Sequence, residues 1–115
     1  VEINDFEKLN NFKVNLTTNF FSLGEMKKIT FEKYINSSVI RNSDYIYFVN
    51  RFCSSPLFEK TYDDSINIFN YKLNQGLFYF DIFPISHFQI TLRNILKRTY
   101  FRNVSSPYFE MISKK

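Results

Sequence analysis

The residue types that most often carry acid–base or nucleophilic chemistry are scarce in this chain of 115 residues. His87 is its only histidine, and Cys53 is its only cysteine. A histidine general base needs an orienting partner and a nucleophile within reach. We instead predict His87 in the first turn of a helix, where a histidine is ordinarily a surface or packing residue. We predict Cys53 beside an apolar helical face, where a single cysteine is ordinarily a small core residue.

Two adjacent acidic residues, Asp63 and Asp64, could hold a hard cation. The pair also suits the first turn of a helix, where carboxylates interact favourably with free backbone N–H groups, and this role is sufficient to account for it. No EF-hand loop, phosphate-binding loop, dinucleotide fingerprint or zinc-protease motif occurs in the sequence. The sequence therefore predicts a non-catalytic protein with no metal site and no cofactor.

The positive charge of the chain is concentrated in one segment. No carboxylate lies between Asp81 and Glu110, and this stretch carries four cations: Arg93, Lys97, Arg98 and Arg102. The remaining 11 of the 15 Lys and Arg residues are balanced by the 11 Asp and Glu residues, so the whole net charge of +4 falls here. Arginine binds phosphate through paired hydrogen bonds, and aromatic rings stack on unpaired bases. We therefore predict an RNA-binding site formed by Arg93, Lys97, Arg98, Phe101 and Arg102.

The basic segment could also serve a purpose that does not involve RNA, in one of three ways. Cations near the carboxyl end of a helix interact favourably with the helix dipole without any ligand. Acidic residues elsewhere in the chain, such as Asp63 and Asp64, could face the segment in the fold. A neighbouring protein subunit could supply the acids instead. The segment also lacks the aromatic signature of RNA-recognition motifs, a GXXG loop and zinc-ligand spacing, so no known nucleic-acid motif identifies the partner.

The spacing of apolar residues predicts that these candidate residues are held by a mainly α fold of about four helices. The helices are expected over residues 23–35, 44–53, 64–75 and 87–102. The second has a stripe at helical spacing, formed by Tyr45, Phe48, Val49 and Phe52. The last begins at a capping box of Ser86 and Gln89, and the first begins at one of Ser22 and Glu25.

Two segments have the character of short strands. Residues 14–21 alternate between polar and apolar side chains, and residues 77–85 are rich in aromatic and β-branched types. Residues 103–115 contain Pro107 and end in two lysines, which suggests an extended tail. With no internal repeat and no linker rich in proline or glycine, the sequence predicts a single domain over residues 1–115.

The composition is dominated by aromatic residues. Phe occurs 15 times and Tyr 8 times, while Trp and Ala are absent and Gly occurs twice. The frequent types are those encoded by AT-rich codons, which indicates an AT-rich genome such as that of an organelle, an intracellular parasite or symbiont, or some viruses. Because a small domain cannot hide this many rings, we expect exposed aromatic patches that mark a partner. No apolar run approaches the roughly 20 residues that cross a bilayer, so we expect no membrane-spanning segment.

The leading hypothesis from the sequence is a structural, RNA-binding subunit of a ribonucleoprotein. The codon bias favours an organellar ribosome, which would place the protein in the mitochondrial matrix, in contact with ribosomal RNA and neighbouring protein subunits. The alternative is a non-catalytic accessory subunit of a respiratory or other multiprotein complex, bound through its aromatic surface. A free-standing viral or parasite interaction protein is a third hypothesis. None of the three requires a small-molecule substrate.

Overall fold

Four strands in one mixed sheet form the framework of the fold. A computed structural model describes residues 12–54, 64–71, 76–93 and 98–115. Two short helices, α1 (Lys28–Ile35) and α2 (Ser38–Arg41), connect the first strand to the second. The sheet has the order β1-β2-β4-β3, with β1 parallel to β2 and with β4 antiparallel to both of its neighbours. The strands are β1 (Leu16–Phe20), β2 (Tyr45–Arg51), β3 (Gly76–Arg93) and β4 (Arg98–Lys114).

The prediction of a mainly α fold is wrong, because the described residues are mainly β. The helices predicted over residues 44–53 and 87–102 are replaced by β2 and by the paired ends of β3 and β4. The two predicted strands, over residues 14–21 and 77–85, correspond to β1 and to the first half of β3. The segment 103–115, expected to be an extended tail, runs instead through the middle of the sheet as part of β4.

The other two predicted helices are shortened. Residues 23–35 form a 3₁₀ turn (Leu23–Glu25) followed by α1, and the side chain of Ser22 makes no capping hydrogen bond. Of the helix predicted over residues 64–75, the described part forms only a 3₁₀ turn (Ile68–Asn70). Gly76, which directly follows that predicted helix, begins β3.

Helical spacing gave the wrong prediction for β2 because both faces of this strand are apolar. Ile46 and Phe48 point into the core and are fully buried, while Tyr45 and Tyr47 lie on the opposite face. When both faces of a strand are apolar, the two-residue period disappears and any helical spacing can be found by chance. The aromatic and β-branched composition of the run is the better guide, since these types favour strands.

The core lies between the helices and one face of the sheet. Phe48 of β2 and Phe109 of β4 are both 0% exposed. They pack in one cluster with buried residues from α1, α2 and the neighbouring segments: Leu23, Phe31, Ile35, Ile40, Ile46, Ile66, Tyr71 and Met111. The ring of Tyr71 meets those of Phe31 and Phe109 edge-on, with centroid distances of 4.9 and 5.0 Å, as aromatic pairs prefer. Large rings therefore fill the interior of a chain that has no alanine.

Replacing Phe109 with Ala should lower the free energy of unfolding by roughly 3–5 kcal/mol, because removal of a fully buried ring leaves a cavity in the core. Phe69→Ala is the matched control: it removes the same atoms from a ring that is 78% exposed, so a change within about 0.5 kcal/mol is expected. Urea unfolding followed by circular dichroism measures both values. Equal effects of the two substitutions would show that the core does not lie around Phe109.

Candidate nucleic-acid interface

Strands β3 and β4 extend far beyond the sheet to which they belong. β4 pairs with β2 over seven residue pairs, whereas it pairs with β3 over 17. Nine of those pairs lie beyond Pro84 and Pro107 and end at Arg93 and Arg98. We call this two-stranded part, residues 85–93 and 98–106, the ribbon; its length is about 30 Å. The longest dimension of the protein is 57 Å and its radius of gyration is 16.8 Å, against roughly 13 Å for a compact domain of about 100 residues.

Pro107 marks the place where the sheet narrows to two strands. The backbone N–H of Phe52 donates to the carbonyl of Pro107 at 3.0 Å, but Pro107 has no N–H with which to return the bond. The carbonyl of Phe52 instead accepts from the N–H of Ile68 at 2.9 Å. The ladder between β2 and β4 therefore ends at this proline.

Pro84 lies directly opposite Pro107 without disturbing the pairing of β3 with β4. The N and the carbonyl of one strand residue point to the same side, and the carbonyl of Pro107 points towards β2. Pro84 and Pro107 are therefore a non-hydrogen-bonded pair of the β3–β4 ladder, and the missing N–H of Pro84 falls on the outer edge of β3. Prolines are tolerated at such edge positions because no ladder bond is lost.

The predicted basic residues meet across the ribbon rather than along a helix. Arg93 is opposite Arg98 in the register, and Arg102 is opposite Gln89. Since alternate positions of a strand belong to one face, the three arginine positions share one face of the ribbon, which we call the arginine face. The register thus puts three of the five residues predicted to bind RNA at positions of one face.

The other two predicted residues do not join this group. Phe101 is paired with Ile90 and its position belongs to the opposite face of the ribbon. Lys97 lies outside the described residues.

The arginine face has an electrostatic cost. Arg93 and Arg98 are directly opposed, and like charges at opposed positions of an antiparallel pair destabilise the pairing. The ribbon also lacks a third strand along its described length, and a two-stranded hairpin is only marginally stable in water.

The sheet has a second surface of interest, on the side opposite the helices. We call it the open face. Register and strand alternation assign to it these residues, strand by strand: Leu16, Thr18 and Phe20; Tyr45, Tyr47, Val49 and Arg51; Tyr108, Glu110, Ile112 and Lys114; Tyr79, Asp81 and Phe83. Rings on three of its strands are exposed: Phe20 is 49% exposed, and Tyr45 and Tyr79 are each 42% exposed. The exposed rings expected from the composition are thus gathered in part on one side of the sheet.

The rings of the open face contact one another across neighbouring strands. Phe20 meets Tyr47 edge-on at a centroid distance of 5.3 Å, and Phe83 stacks on Tyr108 at 6.5 Å. The hydroxyl of Tyr47 donates to Oε1 of Glu110 at 2.5 Å, and this hydrogen bond raises the pKa of Tyr47.

The charged side chains of the open face are held beside its rings. Nε of Arg51 donates to the hydroxyl of Tyr108 at 3.0 Å, and the guanidinium lies 5.9 Å from the centre of that ring. Arg51 also pairs with Glu25 at 3.4 Å. The ammonium of Lys114 lies 5.8 Å from the centre of the Tyr45 ring. Cations within about 6 Å of a ring face interact favourably with its electrons.

Phe21, which follows β1, carries backbone strain. Its φ of 60° lies in the left-handed region, where a bulky side chain is an outlier. Its N–H donates to the carbonyl of Val49 at 2.7 Å, and its ring meets Tyr108 edge-on at 5.3 Å. The strained conformation therefore adds one more ring, 47% exposed, to the open face. Such strain is concentrated at functional sites in proteins.

The remaining candidates from the sequence lie elsewhere. His87 is in β3, opposite Val104, and not at the start of a helix. Cys53 is exposed, with its Sγ 3.8 Å from the Ser65 hydroxyl oxygen, and is not a core residue. Oδ1 of Asp64 accepts from the N–H of Lys28 at 3.1 Å, so this carboxylate does interact with a helix start, that of α1. The described ranges contain no group of three His, Cys, Asp or Glu residues that could hold a metal ion.

Comparisons of the chain with protein-family models, with curated proteins and with solved structures give no match. Within the part of the chain that the structure describes, no helix is long and apolar enough to cross a membrane.

The open face was missed at the level of sequence because its rings come from four strands, one of them predicted as a helix. The arginine face did leave a signal in the sequence. From His87 to Arg93 the chain alternates strictly between polar and apolar residues, which is the pattern of a strand with two different faces. The same residues also place Phe88 and Leu92 four apart, and that helical spacing hid the alternation.

The register of the ribbon can be tested with cysteine pairs in a Cys53→Ser background. Ser86 and Ser105 are opposed and exposed. Pair types alternate along a ladder, so this pair is non-hydrogen-bonded like Pro84 and Pro107, with Cα atoms about 4.5 Å apart. That distance permits a disulfide. Ser86→Cys with Ser105→Cys should therefore oxidise to an internal disulfide, visible on a non-reducing gel.

The control for this test is Ser86→Cys with Ser106→Cys, which places the two cysteines on opposite faces of the ribbon. We expect little internal disulfide from this pair. Equal oxidation of the two pairs would mean that the register is not fixed in solution.

Proposed function

We propose that the protein is a structural, RNA-binding subunit of a ribonucleoprotein. The observation that carries the proposal is the arginine face, where Arg93, Arg98 and Arg102 share one side of a ribbon that extends about 30 Å beyond the sheet. Phosphate oxygens are the natural partners of arginine, because the planar guanidinium binds them through two hydrogen bonds at once. A narrow, projecting ribbon can carry these side chains into a groove or between helices of a folded RNA.

The energetics of the ribbon support the same partner. The opposed pair Arg93 and Arg98 lowers the stability of a two-stranded hairpin, and the ribbon's conformation is then stabilised by binding a polyanion. Residues 82–109 contain no carboxylate, so the segment supplies no acid of its own to neutralise these cations. Lys97 lies in the same segment of the sequence, and we include it among the phosphate contacts. Phe101, whose position belongs to the opposite face of the ribbon, would stack on a base on that side.

The composition favours an organellar ribosome as the assembly. The excess of residues encoded by AT-rich codons is a property of the genome, and mitochondrial genomes often have this bias. In such a particle the ribbon would contact ribosomal RNA, and the exposed apolar residues would contact neighbouring protein subunits. This role is structural and needs neither a catalytic residue nor a cofactor.

A second candidate is a non-catalytic accessory subunit of a respiratory or other multiprotein complex. The observation that favours it is the number of large apolar side chains exposed among the described residues, with Phe69 at 78% and Phe78 at 75%. Surfaces of this kind ordinarily mark protein partners. In this case the arginine face would meet an acidic protein surface.

Salt dependence distinguishes the two candidates. The test variant replaces Arg93, Lys97, Arg98 and Arg102 with Gln, and the probe is a labelled RNA stem-loop with an unpaired tail. If four phosphate contacts are made, the logarithm of the association constant should fall with the logarithm of salt concentration with a slope of about 3–4 for the wild type. The slope of the test variant should be smaller by about 3, since each lost contact removes a little less than one.

The control variant replaces Lys13, Lys27, Lys28 and Lys33 with Gln. It removes the same charge from the segment before β1 and from α1 and its N-cap. The slope of the salt dependence should therefore stay close to that of the wild type. If the wild type and the test variant bind RNA equally, or if neither binds, the RNA-binding proposal is wrong. Loss of assembly with a protein subunit at unchanged RNA affinity would favour the accessory subunit.

A further inference from the structure

We infer that the open face of the sheet is a stacking platform for unpaired RNA bases, and this inference rests on the proposed RNA-binding function. It names the kind of RNA that the protein takes: a single-stranded segment held flat against the sheet while the ribbon grips phosphates. Base–ring stacking tolerates any sequence, because every base has a π face. The platform therefore selects unpaired over paired RNA rather than one sequence over another.

The geometry of the rings suits this ligand. The three exposed rings, Phe20, Tyr45 and Tyr79, lie on β1, β2 and β3, so they are spread across the sheet. By the register, Tyr45 lies one strand and four residues from Phe20, and Tyr79 lies two strands and two residues from Tyr45, so the rings are roughly 12–16 Å apart. Four-stranded sheets that bind RNA stack two or three bases on exposed rings. A base splayed out of a single strand can lie on such a ring, whereas a base inside a duplex cannot.

The charges on and around the open face also favour an RNA ligand. Its cations, Arg51 and Lys114, lie beside rings. Arg51 already pairs with Glu25 at 3.4 Å, so Lys114 is the cation that we assign to the phosphate linking one stacked base to the next. The carboxylate of Glu110 accepts a hydrogen bond from Tyr47, and Oδ1 of Asp81 accepts one from the backbone N–H of Ile82. Both carboxylates are thus partly neutralised by donors of the protein itself.

The open face is also continuous with the arginine face. The only irregularity in the pairing of β3 with β4 lies between Leu77 and Tyr79, so the register is unbroken from Tyr79 to Arg93. Phe83 and Tyr108 of the open face therefore share one face with the positions of Arg93, Arg98 and Arg102. The positions of these rings and of the three arginines therefore belong to one face of the same hairpin, and the positive charge at those positions favours a nucleic acid over an apolar protein surface.

Strain at Phe21 supports a functional role for the open face. A residue such as Asn adopts the left-handed conformation far more readily than Phe. A sequence selected for stability alone would not keep a bulky ring at this position. Phe21→Asn should therefore leave the fold intact and remove one ring beside Tyr108, which separates binding from stability.

The test compares two double variants with the wild type. Tyr45→Thr with Tyr79→Thr, the platform variant, removes two exposed rings and keeps β-branched residues in both strands. Ile29→Thr with Phe69→Thr is the control, because it removes apolar residues that are 66% and 78% exposed and that belong to no strand of the sheet. The probes are an oligouridine of about 12 nucleotides and an RNA duplex of the same length. Binding is measured at several salt concentrations.

We expect the platform variant to bind the oligouridine about 30-fold more weakly than the wild type, since two stacked rings are lost. Its affinity for the duplex and the slope of its salt dependence should stay unchanged, because its phosphate contacts are kept. Phe21→Asn should weaken oligouridine binding about fivefold without lowering the thermal midpoint, because the substitution relieves backbone strain. The control variant should behave as the wild type with both probes.

Tyrosine fluorescence gives a second readout. The chain has no Trp, and four of its eight Tyr residues belong to the open face, so part of its emission comes from this surface. A stacked base should quench the emission when the oligouridine binds, whereas the duplex should not. A purely structural role for the rings would give no such difference.

Failure of the inference and failure of the proposed function look different. If the platform variant binds the oligouridine as tightly as the wild type, while loss of the four cations of the ribbon segment still abolishes binding, the platform is wrong and the RNA-binding function stands. If the wild type binds neither probe, both are wrong. Unchanged RNA binding combined with lost association with a protein subunit would make the open face a protein-docking surface.

Discussion

β4 pairs with β2 over seven residue pairs and with β3 over 17, and the rest of the structure depends on this difference. Its pairing with β2 joins the parallel half of the sheet to the hairpin and buries Phe109 and Met111 under the helices. Its longer pairing with β3 has no support from β2 beyond Pro107. A single backbone feature, the missing N–H of one proline, thus separates a packed sheet from a projecting ribbon.

The two faces of the sheet have different roles. On one face, the helices cover a core that is built from phenylalanine, isoleucine and a buried tyrosine. These large side chains fill the space because the chain has no alanine and little glycine. On the other face, tyrosines lie beside Arg51, Lys114 and Glu110. Stability comes mainly from the first face, so the second is free to change with the partner. The proposed RNA-binding surface combines the second face with the ribbon.

The sequence predicted some of these features and missed others for definite physical reasons. The concentration of positive charge between Asp81 and Glu110 is a property of the sequence, so it does not depend on the secondary structure. It is found in the ribbon, although a helix was predicted there. β1 and the first half of β3 were predicted because their strand character has no competing pattern. β2 was missed because it is apolar on both faces, and the ribbon was missed because Ser86 and Gln89 imitate a capping box. The grouping of rings on the open face depends on strand order, which no local pattern contains.

The position of β4 in the sheet also affects how the protein is made. β4 is the last of the four strands to be synthesised, yet it lies between the two that precede it. The bond between Tyr47 and Glu110 joins residues 63 positions apart, and at about 5–20 residues per second the ribosome needs several seconds to cover that distance. During this interval β2 carries an unpaired edge, and its apolar side chains lack half of their core. Nascent chains should therefore need protection from aggregation until the final strand has left the exit tunnel.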